Sequence, residues 1–153
     1  MLHVKDIMHT AYRVEPRETI ADVARTMIAH DVECVLVVDD HELLGIITEK
    51  DLLRAVLPTG AELCEADRLR AFTDLVAVAH DHFATVVGSV MSRPVQTIGA
   101  DACLVRALCI MLLGRIRRLP VLGPNGEVVG VVTERDLFRS VFMEGQHADR
   151  MIG

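Results

Sequence analysis

Apolar residues along this chain recur in two rhythms, and the change from one to the other predicts the elements. Ile20, Val23, Ala24, Met27 and Ile28 fall at helical spacing, with Thr19 placed as an N-cap just before them. Cys34-Val35-Leu36-Val37-Val38 is an unbroken apolar run, the pattern of a buried strand. Asp39-Asp40-His41-Glu42 reads as a turn, residues 43–48 as the return strand and 49–57 as a closing helix. A short helical turn at Val4-Lys5-Asp6-Ile7-Met8 and a brief strand at Tyr12-Arg13-Val14 come first. The predicted order is β-α-β-β-α.

The same order then returns. Val87-Gly88-Ser89-Val90-Met91 opens it, and Gln96-Thr97-Ile98 is the short strand. Leu104, Ala107, Leu108, Met111 and Leu112 make the helix stripe, and Arg118-Leu119-Pro120-Val121-Leu122 the buried strand. Gly123-Pro124-Asn125-Gly126 is a strong turn signal, residues 127–133 return, and 134–142 are helical. A repeat of this kind predicts an α/β (α+β) fold of two lobes with pseudo-twofold symmetry. The expected division is repeat one over 1–57, a helical linker over 58–85, repeat two over 86–143 and a polar tail over 144–153. Leu63, Ala66, Leu69, Leu75 and Val78 predict a helix over about 65–81 in the linker, and the tail is expected to fray.

One phrase is said twice within that frame. Gly45-Ile46-Ile47-Thr48-Glu49-Lys50-Asp51 returns as Gly130-Val131-Val132-Thr133-Glu134-Arg135-Asp136. Each copy runs from a strand into a helix, where free N–H groups and the helix dipole favour negative charge. A threonine hydroxyl there can meet a phosphate oxygen. An aspartate three residues on can accept the paired hydroxyls of a ribose. A plainer reading stands beside this one. Thr followed three residues later by a carboxylate is close to a capping pattern. The repetition of the whole frame, glycine included, favours the ligand reading, because capping needs neither the glycine nor the two apolar residues.

Composition narrows the picture further. About half of the 153 residues are apolar (51%), but aromatics are only 3% and Trp is absent, so Val, Leu, Ile, Ala and Met must build the core. Met8, Met27, Met91 and Met111 read as core filling. The net charge of −6 argues against nucleic-acid and membrane-surface binding, which need a basic face. With no apolar run of spanning length and no leader pattern, a cytoplasmic protein is expected. Cys34, Cys64, Cys103 and Cys109 lack metal or redox spacing and are expected to be free and buried. His80-Asp81-His82 puts two histidines on different helix faces, so no metal site is expected there. Glu49 and Glu134 have no nucleophile or metal-ligand set beside them, and no catalytic residue is expected.

With both phrases, the Val-x-x-hydrophobic-Met openings and the Leu119-Pro120-Val121 strand in view, the chain resembles a tandem pair of CBS domains, named after cystathionine β-synthase. The resemblance covers roughly residues 3–57 and 86–143. It implies two repeats packed through their sheets, with two clefts for adenosine-containing ligands such as AMP, ADP, ATP or another adenosyl compound, and no obligatory cofactor. It implies that Thr133 and Asp136 hold phosphate and ribose in one cleft, with the adenine near Tyr12, Val14 and Val32. Thr48 and Asp51 do so in the other, with Ile98 and Ile116 against the base. For Val14, Val32, Ile98 and Ile116 an ordinary core role is equally open.

The two clefts are not expected to be equal. Repeat two reads Gly114-Arg115-Ile116-Arg117-Arg118 where repeat one has His30-Asp31-Val32-Glu33-Cys34. Arg117 and Arg118 belong to the densest positive patch of an acidic chain, and guanidinium forks match phosphate geometry. Their alternative role is to complement the C-terminal end of the helix before them. The resemblance implies a regulatory homodimer, with residues 52–57 and 137–142 as the expected contact surface and a regulated partner of unknown identity. A ligand-free structural adaptor is the alternative, and a small nucleotide-processing enzyme ranks below both.

Overall fold

The computed structural model describes residues 1–57, 72–93 and 95–149. Two three-stranded mixed sheets form, each with its own helices. The first contains β1 (Arg13–Val14), β2 (Cys34–Asp39) and β3 (Glu42–Thr48), with α2 (Ile20–His30) between β1 and β2 and α3 (Glu49–Val56) after β3. The short helix α1 (Val4–Ile7) precedes them. Helix α4 (Phe72–His80) and a 3-10 turn at Val87–Ser89 follow α3. The second sheet contains β4 (Ile98–Gly99), β5 (Arg118–Leu122) and β6 (Val128–Thr133), with helices α5 (Leu104–Gly114) and α6 (Glu134–Asp149). In each sheet the short strand pairs in parallel with the middle one, which pairs antiparallel with the third.

The local causes are those of the sequence. The Thr19 hydroxyl accepts from the Asp22 N–H and caps α2. Ile20, Val23 and Met27 turn inward from α2, and Ala107 and Met111 from α5. Both helices end on a residue in the left-handed conformation, Asp31 at φ 51° and Arg115 at φ 52°. Asp40 and His41 both have positive φ between the paired residues Asp39 and Glu42, the requirement of a tight I′-type hairpin.

Several expectations need correction. Ile28 and Leu112, the last residues of the two predicted stripes, are 80% and 64% exposed. They hold equivalent positions, one step past the inward-facing Met27 and Met111, where a helix has already turned about 100° away. Of the described cysteines, Cys34, Cys103 and Cys109 are free, but none is buried: two are half-buried and Cys109 is exposed on α5. The backbone of α6 continues to Asp149, well into the stretch expected to fray. Its lone Gly145 costs a helix only about 1 kcal/mol relative to Ala and does not stop it. The linker helix is described only over Phe72–His80, and Leu63, Ala66, Leu69 and Cys64 lie outside the described residues. Ala79 of that helix packs on the core of the first sheet.

The sequence repeats and the compact units are different divisions of the chain. One unit is Tyr12–Pro94, and the other joins Met1–Ala11 to Val95–Gly153. The opening segment of each repeat therefore completes the core that belongs with the other repeat's sheet. Val87 is fully buried with Val14, Ile20, Val35 and Ile47. Val4 is fully buried with Ile98, Met111, Leu119 and Val132. Backbone bonds fix each opening: Val87 and Gly88 N–H groups donate to Glu18 and Pro16, and those of Val4 and Lys5 donate to Ala102 and Ala100.

Candidate ligand site

Each unit builds one clamp from the repeated phrase. Thr133 ends β6, and Asp136 lies in the first turn of α6. The Thr133 N–H and hydroxyl both donate to Asp136 Oδ2, at 2.8 and 2.7 Å, and the Asp136 N–H donates back to the hydroxyl at 3.2 Å. Thr48 and Asp51 repeat this at 2.9, 3.0 and 3.3 Å. Both pairs are partly buried. The capping reading is thus realised in full, and it also fixes each carboxylate rigidly at a strand-to-helix junction. The single hydroxyl hydrogen of each threonine is directed at its aspartate.

The rest of the phrase has a purpose that the sequence reading did not reach. The segment after each opening methionine lies against it. His9 exchanges two backbone hydrogen bonds with Val131, both 3.0 Å, and Ser92 exchanges two with Ile46, at 2.9 and 3.1 Å. The phrase glycines make room for that segment: a Cβ at Gly130 would stand 2.9 Å from the His9 carbonyl, and one at Gly45 would stand 2.6 Å from Met91 Sδ. The side chains of His9 and Ser92 then reach the clamps. His9 Nε2 lies 3.1 Å from Asp136 Oδ2. The Ser92 hydroxyl donates to Asp51 Oδ1 at 3.0 Å. Neither residue was among the expected site residues. The available signal was their shared place, directly after the methionine of each opening.

The first unit carries Tyr12, Val14, Val32, Thr48 and Asp51 of the expected ligand residues, and the second carries Ile98, Ile116, Arg117, Arg118, Thr133 and Asp136. Val14 and Ile98 are core residues, each 4% exposed. Val32 and Ile116 are half-buried against the same cores. Tyr12 is half-buried, with its ring 4.3 Å from that of His30. Arg118 is the register partner of Thr133 across β5 and β6, and the Glu134 N–H donates to the Arg117 carbonyl at 2.8 Å. Both arginines therefore adjoin the Thr133 clamp. The exposed Arg117 guanidinium is only loosely paired, at 3.9 Å from Glu134. The matching neighbours of Thr48 are Cys34, its register partner, and Glu33, whose carbonyl accepts from Glu49. The two clamps thus share a frame and differ in charge.

A depression of about 380 Å³ lies at the other end of β5, lined by Asp101, Arg106, Leu122 and Pro124 among others, and of the expected residues it includes only Ile98. Among the described residues, no three His, Cys, Asp or Glu side chains gather as a metal site. Among them, too, no helix is long and apolar enough to cross a membrane.

Two mixed sheets with a repeated strand-Thr-x-x-Asp-helix junction define a tandem CBS module, and the chain belongs to the CBS domain family, which matches residues 4–58 and 87–142. An uncharacterised protein of Methanopyrus kandleri is 32% identical over 125 residues, 81% of this chain and 54% of that protein, so the chain spans about half of the relative's length. The structure of CBSX2 in complex with AMP, a CBS-pair protein of Arabidopsis thaliana, has a TM-score of 0.70 at 22% identity, covering 95% of this chain and 99% of that one. The CBS domain pair of protein MJ0100, in complex with 5′-methylthioadenosine and S-adenosyl-L-methionine, has a TM-score of 0.70 at 23% identity, covering 94% and 98%. At these identities the two structures speak for the fold.

Proposed function

We propose that the chain is a non-catalytic regulatory module that binds an adenosine-containing ligand at its Thr-Asp clamps. Asp136 and Asp51 accept ribose hydroxyls. The positive end of the α6 dipole, with Arg117 and Arg118 beside it, favours the phosphate. The half-buried faces of Tyr12, Val32 and Ile116 offer apolar surface to a base. The observation that carries this reading is the Thr133 clamp: a fixed, partly buried carboxylate with Arg118 on the adjoining strand, and Arg117 just before it, in an acidic chain. The AMP bound to CBSX2 and the adenosyl compounds bound to the MJ0100 pair support the ligand class.

Binding becomes a signal only if the ligand favours one of two arrangements of the module or its assembly. A homodimer through α6 is the proposed assembly. Phe138, Val141, Phe142 and Met143 are exposed there, and the two phenyl rings are 4.7 Å apart. Sedimentation should show a dimer that Phe138→Ser with Phe142→Ser converts to monomer; a monomeric wild type rejects this surface.

A thermal-shift series with AMP, ADP, ATP and S-adenosylmethionine tests the ligand reading. A ligand at 100 times its Kd adds about 2.7 kcal/mol to stability. Asp136→Ala should reduce the shift more than Asp51→Ala. The completeness of both capping boxes favours a second reading, a structural adaptor that binds nothing. Unchanged melting with all four ligands would select it.

A further inference from the structure

The two clamps differ at the carboxylate itself. Among the described residues, every polar contact of the Asp136 side chain ends on Oδ2: the Thr133 N–H, the Thr133 hydroxyl and His9 Nε2. Its Oδ1 meets no donor there. At Asp51 the contacts are divided. Thr48 supplies the same two donors to Oδ2, but the Ser92 hydroxyl takes Oδ1 at 3.0 Å. The cause is the reach of two side chains leaving equivalent backbone positions, since His9 and Ser92 make matching bridges to Val131 and Ile46.

We propose that His9 and Ser92 decide which clamp takes a ribose. This rests on the assignment of ribose to the two aspartates. His9 backs the oxygen already used by Thr133 and leaves Asp136 Oδ1 to accept ribose hydroxyls. Its Nε2 stands 3.1 Å from Oδ2. Ser92 occupies the oxygen that a ribose would use, so at Asp51 the ligand must share that oxygen or displace the serine. An aspartate oxygen can accept more than one hydrogen bond, which makes Ser92 a competitor and not a plug. The arginines distinguish the clamps by phosphate; His9 and Ser92 distinguish them by sugar. The preference therefore extends to ligands without phosphate.

Isothermal titration with AMP and with S-adenosylmethionine, which share a ribose but not a phosphate, reads both clamps. In an Asp136→Ala background only the Asp51 clamp remains, and adding Ser92→Ala should tighten both ligands about tenfold, the effect of 1.4 kcal/mol. In an Asp51→Ala background, His9→Ser should weaken both by a similar factor, by placing a hydroxyl where Ser92 has one. His9→Gln, which keeps a donor at the reach of Nε2, should restore binding. Ser92 and His9 are exposed, and a melting curve for each variant verifies the fold. If each aspartate substitution removes a site while Ser92→Ala and His9→Ser leave the remaining affinities unchanged, this inference is overturned and the ribose assignment stands. If neither ligand binds the wild type, or binding survives loss of both aspartates, the ribose assignment falls and this inference with it.

Discussion

Gly130 faces the backbone of His9 so closely that a side chain between them has no room: its Cβ would stand 2.9 Å from the His9 carbonyl oxygen and 3.0 Å from Met8 Sδ. Gly45 stands in the same relation to Ser92 and Met91. The repeated glycine is therefore a contact residue for a distant piece of the chain. It lets that piece pair with β6 or β3 and bring its side chain to the aspartate.

Gly130→Ala and Gly45→Ala should each destabilise the protein by about 1–3 kcal/mol, the usual cost of overpacking. A Cβ on Gly99 meets nothing within 4 Å, so Gly99→Ala is the control and should be close to neutral. Chemical denaturation compares the three. Equal midpoints would mean that the opening segments are not anchored on the phrase glycines.

Thr133 has a stability role that is separable from ligand binding. Thr133→Ala removes the acceptor for the Asp136 N–H and a donor to its carboxylate, and should cost about 1 kcal/mol without any ligand. Thr133→Ser keeps the hydroxyl and should recover most of the loss. Denaturation of both variants in ligand-free buffer reads the difference; an alanine variant as stable as wild type would refute the capping role.

The Lys5–Asp101 pair predicts a pH dependence. Lys5 Nζ donates to Asp101 Oδ1 at 2.6 Å. That hydrogen bond, together with the opposite charge, lowers the Asp101 pKa and raises that of Lys5. The Asp101 contribution is present above its unfolded pKa of about 3.9 and is lost as pH falls through its lower folded value. The Lys5 contribution is present below its unfolded pKa of about 10.4 and is lost as pH rises through its higher folded value. Both groups are exposed, so the effect is small. Asp101→Asn should lower the melting temperature most at neutral pH, with the gap to wild type closing in acid below the carboxylate titration. A gap that persists there would assign the loss to packing.

Much of the fold was legible because its determinants are local. The Thr19 cap, the stripe of Ile20, Val23 and Met27, and the strand from Cys34 needed only spacing and propensity. The Thr48 and Thr133 pairs could be located but not interpreted. A capping box and a ribose-binding pair would use the same two residues at the same spacing; the structure makes the box, and the ribose role is the proposal. Ile28 and Leu112 misled because their residue type continues a stripe that the helix has already turned away from. His9 was marked only by its place after an opening methionine, and nothing near it in the chain indicates a carboxylate at Asp136.

The sequence by itself determined the repeat, the order of elements, the position of both clamps and the charge that separates them. Each of these is set by residues near one another, through helical or strand periodicity and the capping of helix ends. Only the tertiary structure decided that Met1–Ala11 packs with the sheet of the second repeat, that Gly45 and Gly130 are cleared for passing backbone, and that His9 and Ser92 meet the two aspartates at different oxygens. These are contacts between segments far apart in the chain. They depend on how buried valines such as Val4 and Val87 draw distant backbone into a shared core, and no local pattern encodes which oxygen a side chain will reach.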